Sequence, residues 1–100
     1  MDRNGYNPSI IERVSDCRCF MCGIRSGVKL DRHEVFHGAN RDKSKRLGLW
    51  VTLCHGHHMM LHHESASSDL KLKKIGQEAA MRHYGWTTEE FIKQIEKNYL

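Results

Sequence analysis

Residues 53–63, LCHGHHMMLHH, carry five of the chain's eight histidines and one of its four cysteines. Imidazoles and thiolates are the side chains that bind borderline-soft cations. The run is therefore either a metal-binding segment or a histidine-rich solvent face, and the remaining cysteines bear on the choice. Cys19 and Cys22, in CFMCG, have the CxxC spacing at which two thiolates meet one ion, and Gly23 permits the sharp turn of a zinc knuckle. Cys54 and His57, in CHGH, repeat that spacing. Together the four form a Cys3His set for a structural Zn²⁺, drawn from two points far apart in the chain. Such an ion closes a long loop and supplies folding free energy directly. Cys17 is left over; it could compete with Cys19 for the ion, but CxxCG is the tighter match and Cys17 reads as a spare small residue. A redox CxxC would need a thioredoxin-like βαβ setting, which a chain this short and differently ordered lacks.

A second grouping lies just behind the first. His58, Leu61 and His62 fall at i, i+3 and i+4, so on a helix they share a face, and two imidazoles one turn apart can hold one ion. His55 and His63 are expected to face solvent.

These residues need elements to position them. Asn7 and Pro8 suggest a helix start running into SIIERV. CRCFMCGIRSGVKL reads as a tight loop ending in Gly23 and leading through Gly27 into a strand near 28–36. Residues 37–46, polar and glycine-containing, read as a loop, and GLWVTLC as a second strand pairing with the first. The pattern after Cys54 is helical. SASSDLKLKKIGQEAAMRHYG starts with serines and Asp69 as caps, runs Leu70, Leu72, Ile75 and Ala79 along an amphipathic helix, and stops at Gly85. Thr87 with Glu90 is a capping-box pattern, and Phe91, Ile92 and Ile95 supply the buried stripe of a last helix. The expected class is α+β, in one domain spanning residues 1–100.

At 100 residues the core is small, and such domains often need a staple. No stretch approaches the roughly 18 consecutive apolar residues of a membrane span, and the opening MDRNGYNPS lacks a secretory pattern. The expectation is a cytoplasmic protein without membrane contact. Thiols stay reduced there, which favours metal over disulfide. The formal charge is +4, and NRDKSKR sets Arg41, Lys43, Lys45 and Arg46 against Asp42 alone. Such a cluster suits a phosphate backbone, or is simply a solvated loop.

In the order HEVF, GANR, KS, GLWV and LCHGHH, followed by LKLKKIGQEAAMRHYGWTTEEFIKQIEKNYL, the chain resembles the HNH, or ββα-metal, endonucleases. It looks most like the small HNH-type proteins of phages and prophages of Gram-positive bacteria, over roughly residues 8–100. The resemblance implies a small zinc-stapled, treble-clef-like ββα-metal core at about 15–65, with two C-terminal helices at about 68–98. It also implies hydrolysis of DNA phosphodiesters in the host cytoplasm, with phage packaging or recombination proteins as possible partners. A catalytic divalent cation (Mg²⁺, Mn²⁺, Ni²⁺ or Zn²⁺) would sit on His33, His58 and His62. Asn40, Arg41, Lys43, Lys45 and Arg46 would meet DNA, by shape more than by base sequence.

The chain departs from the family pattern in two places. The usual first strand carries two adjacent residues, a metal ligand followed by a histidine base. Here the pair is His33 and Glu34. In strict register His33 is the ligand and Glu34 the base; shifted by one, His33 is the base and Arg32 stands where a guanidinium cannot bind a cation. His37 is a weaker candidate base. The family's central asparagine is replaced by Gly48 and Leu49, and Asn40 is the residue that could fix the loop instead. The competing function is a non-catalytic zinc module that binds nucleic acid, which would have no use for His33, His58 and His62 together.

Overall fold

A computed structural model describes residues 1–12, 18–25, 27–63 and 65–100. Strand β1 (Leu30–Glu34) pairs antiparallel with β2 (Trp50–Cys54), Leu30 opposite Cys54 and Glu34 opposite Trp50. A 3-10 turn (Gly38–Asn40) and helix α1 (Arg41–Leu47) connect them. β2 runs without a break into α2 (His55–His63), and α3 (Ala66–Tyr84) and α4 (Thr88–Ile95) follow. The architecture is α+β, as the order of elements leads one to expect. Among the described residues no helix is long and apolar enough to cross a membrane.

One face of the sheet carries the core. Val51 and Leu53 of β2 are fully buried between half-buried neighbours, the period-2 signature of a strand with one covered face. Val35, Phe36 and Leu49 extend this apolar layer, and Leu61, Leu72, Ala80, Phe91 and Ile95 of the three following helices close over it. Each large side chain removed from water in this way contributes about 1.5–3 kcal/mol. α3 comes close enough that a Cβ at Gly76 would lie 2.9 Å from Val35 Cγ1. Buried Gln77 ties the C-terminal tail down, accepting from Tyr99 N at 2.7 Å and donating to Asn98 Oδ1 at 2.8 Å.

Helix ends follow the capping residues. Ser65 accepts from Ser68 N and Thr87 from Glu90 N, while Gly85 closes α3 in the left-handed conformation.

Four expectations need correction. Residues 7–12 form no helix, because their backbone and side chains are bound to distant partners: Asn7 N donates to Lys45 O, Ile10 N to Gly48 O, Ser9 Oγ to Trp50 O and Trp50 Nε1 to Asn7 O. Residues 13–17, including Cys17 and the end of SIIERV, lie outside the described residues. The basic stretch 41–46 is helical, not a loop. Its inward residue is Ser44, fully buried, whose hydroxyl donates to Phe36 O and accepts from Phe36 N, so the helix docks through a hydrogen-bonded serine instead of an apolar stripe. On α3, Leu72 and Ala79 are buried, but Leu70 and Ile75 are 44% and 42% exposed, because Gly76, Gln77 and Ala80 take the inward phase. On α4, Phe91 and Ile95 are buried and Ile92 is 37% exposed.

Candidate metal centres

Two clusters of metal-binding side chains flank the junction of β2 and α2. The first begins at the CxxC turn. Gly23 N donates to Cys19 O and Cys19 N to Ile24 O, curling the turn so that both sulfurs point one way, with Gly23 at φ 77°. Phe20 N donates to Thr52 O at 2.7 Å and docks the turn on β2. Cys54 ends that strand and His57 lies in the first turn of α2. Cys19 Sγ and Cys54 Sγ lie 3.7 and 3.2 Å from His57 Nδ1, and Cys22 Sγ lies 4.0 Å from Cys54 Sγ. All four ligand atoms fall within 4.8 Å of one another, so the set can hold one metal ion. Burial raises the Cys19 thiol, yet hydrogen bonds from the backbone of Cys54, Cys22 and Met21 bring it down to about 6. At Cys22 the backbone of Ile24 lowers the thiol, but desolvation and the sulfurs of Cys19 and Cys54 raise it on balance. Crowded thiolates repel, and a shared cation removes that repulsion.

The second cluster is built of imidazoles. His33 comes from β1, His58 and His62 from one face of α2, and their ligand atoms also fall within 4.8 Å of one another. The Nε2 atoms of His58 and His62 are 3.2 Å apart. His33 is 1% exposed, and its Nε2 is buried with no hydrogen-bond partner among the described residues. An unpaired buried ring nitrogen costs about 1–3 kcal/mol, which a bound cation would offset. Burial, then the neighbouring His58, His62 and His37, push His33 down to about 4. Burial and the same crowding, from His58, His37 and His63, lower His62. Neutral imidazole is the form that binds metal.

This trio opens on a cavity of about 500 Å³ whose wall includes Tyr6, Arg32, Glu34, His37 and Arg41. Glu34 lines it without joining the trio: Arg41 Nε donates to its Oε1 at 2.7 Å. Burial raises the Glu34 carboxyl, but Arg41 and a hydrogen bond from Tyr6 outweigh it and hold it ionised. Burial and Glu34 push the Tyr6 hydroxyl up to about 12. His37 Nε2 lies 3.4 Å from Asp69 Oδ1, and its ring is 6.0 Å from that of His33.

Helical geometry divides the basic cluster. Arg41 and Lys45, one turn apart, face a second groove beside the trio, together with Lys29 and Arg32. Lys43 turns the other way and donates to Gln94 O, and Asn40 donates to Ile95 O, so both hold α4. Arg46 is exposed. The Asn40 bond ties the connection between the strands to the last helix.

Sequence reasoning missed Asp31 and Tyr6. Asp31 Oδ2 lies 2.9 Å from His55 Nδ1 and 3.1 Å from His58 Nδ1. The hydrogen bond from His55 lowers its carboxyl, against some desolvation, with help from His58 and Lys29. The signal was available, because a strand places residues 31 and 33 on one face. His55 is exposed as expected, though paired, and His63 is exposed. Comparison of the chain with protein-family models, curated proteins and solved structures finds no match.

Proposed function

We propose that this chain is a metal-dependent DNA endonuclease of the HNH, ββα-metal type, with a structural Zn²⁺ on Cys19, Cys22, Cys54 and His57 and a catalytic cation on His33, His58 and His62. The supporting observation is the convergence of a strand histidine and two helix histidines on a cavity whose wall includes Arg32 and Arg41.

Zinc suits the sulfur-rich set by its dimensions. Tetrahedral bonds of about 2.3 Å to sulfur and 2.0 Å to nitrogen place neighbouring sulfurs about 3.8 Å apart and sulfur and nitrogen about 3.5 Å apart. The separations of 4.0, 3.7 and 3.2 Å bracket those values. The second set has only imidazoles and an open side. That softness suits Ni²⁺ or Zn²⁺ better than Mg²⁺.

A divalent cation held there supplies Lewis-acid stabilisation of the charge that develops on a scissile phosphate. The chain's own residues do the rest. Arg32 and Arg41 bring positive charge to the same cavity, and Lys29 and Lys45 extend it along the adjoining groove, where a phosphate backbone can lie. His33 takes the ligand position of the family's strict register, which leaves the proton of an attacking water to Glu34 or His37. Arg41 occupies the Glu34 carboxylate, whereas His37 has Asp69 to orient it.

The Glu34–Arg41 pair is also the one observation favouring the second reading, a zinc module that binds nucleic acid without cutting it. Plasmid DNA incubated with the protein and Ni²⁺, Mn²⁺, Mg²⁺ or Zn²⁺ decides between them. Nicking that disappears in His33→Ala is the expected result. DNA binding without cleavage under every ion establishes the module, and a His33→Ala variant as fast as the parent removes the proposed site.

A further inference from the structure

Resting on the reading that the imidazole trio holds a cation, we infer that Asp31 is the positioning residue of that site: its carboxylate locks His58 with the proton on Nδ1, so that Nε2 faces the ion.

An ionised carboxylate has no hydrogen to give, so whatever approaches it must donate. Asp31 Oδ2 is 3.1 Å from His58 Nδ1, and its side chain is only 13% exposed, so water competes weakly for it. A neutral imidazole carries one proton, and if that proton is on Nδ1 the lone pair is on Nε2. Nε2 is the atom of His58 that stands 3.2 Å from His62 Nε2, on the side where the trio converges. Free imidazole divides between two tautomers, only one of which can bind on this side. Asp31 removes the wrong one and fixes the plane of the ring.

The carboxylate is itself held from three directions. His55 Nδ1 lies 2.9 Å from Oδ2, Lys29 Nζ lies 3.7 Å from Oδ1, and β1 fixes the backbone opposite Leu53. Asp31 is not in the converging set, so it acts through His58 and not as a ligand. A carboxylate behind a metal-binding histidine orients the ring and raises its basicity, and its loss lowers metal affinity by about 10–100-fold.

The experiment uses the full chain with zinc in the sulfur site. Nitrogen-15 correlation spectra of the imidazoles, before any ion is added to the trio, should show His58 protonated at Nδ1. Titration with Ni²⁺ should then give an affinity about 10–100-fold weaker in Asp31→Ala than in the parent, with the zinc content unchanged. Asp31→Asn, which preserves shape, should also weaken binding, so a poorly folded alanine variant does not stop the test. A parent in which His58 carries its proton mainly on Nε2 overturns the inference, as does parental Ni²⁺ affinity in both variants. A parent that binds no ion at the trio at all is a different result: it overturns the nuclease reading, while the tautomer measurement still reports on Asp31.

Discussion

His58 and His62 place their Nε2 atoms 3.2 Å apart, with Asp31 behind His58. With the His58 proton on Nδ1, the short contact is satisfied by a proton on His62 Nε2. That proton must leave Nε2 before both nitrogens can bind one ion. Loading the trio with an ion would therefore exchange a hydrogen bond for two coordinate bonds.

His62 is exposed on α2, so its replacement by alanine leaves the core intact. We expect His62→Ala to unfold within about 0.5 kcal/mol of the parent in denaturant. The same variant should lose Ni²⁺ binding at the trio by at least about tenfold and lose DNA nicking with it.

Cys22 is also exposed, and its side chain adds little buried area. Cys22→Ser should nevertheless lose fold and metal together, because structural zinc contributes about 10–16 kcal/mol in domains that depend on it. Metal content by native mass spectrometry and far-ultraviolet circular dichroism read the two losses side by side.

Burial holds the His33 imidazole down to about 4 in the folded chain, below its ordinary value of 6.5. An unfolded chain therefore takes up a proton there at a pH where the folded chain does not. The resulting stability is fully present above about pH 6.5 and is lost as pH falls toward 4, amounting to about 3 kcal/mol. Denaturant unfolding without an ion on the trio, between pH 7.5 and 4.5, should show a decline in the parent that is smaller in His33→Gln by about that amount.

Lys43 and Lys45 are two residues apart but serve opposite faces. Lys45→Ala should weaken DNA binding and reduce the salt slope by about 1, as loss of one phosphate contact does. Lys43→Ala should leave both unchanged and lower the melting temperature slightly. Fluorescence anisotropy across a salt series separates them.

Gly48 closes α1 at φ 73°, and a Cβ there would strike the carbonyl oxygen of Pro8. Gly48→Ala should cost about 1–3 kcal/mol in thermal unfolding. The strap formed by residues 7–10 should loosen with it.

Much of the site was legible because spacing carries it. The two pairs at positions 19, 22 and 54, 57, and the helical pair 58, 62, announce their geometry without long-range information. His33 was nameable only through the family resemblance, since a lone strand histidine has no periodic signal. Asp31 was missed although it shares the face of His33, because an acidic residue on a strand looks like ordinary surface until the helix histidines are set against it. The fold was readable wherever apolar periodicity or a cap marked an element. It failed at α1, whose docking residue is a buried serine, and at residues 7–12, where distant hydrogen bonds override a local helix signal.

β2 passes into α2 with no intervening loop, so His57 and His58 are neighbours assigned to different pockets. One inserted residue between them would swing the later histidines by about 100° around the helix axis. The same continuity couples the two sets: a metal ion on Cys19, Cys22, Cys54 and His57 would fasten the start of α2 to the sheet, and that is the end of the helix that carries His58 and His62 toward His33. Emptying the first set would then loosen the footing of the second, so metal occupancy of the two is expected to rise and fall together.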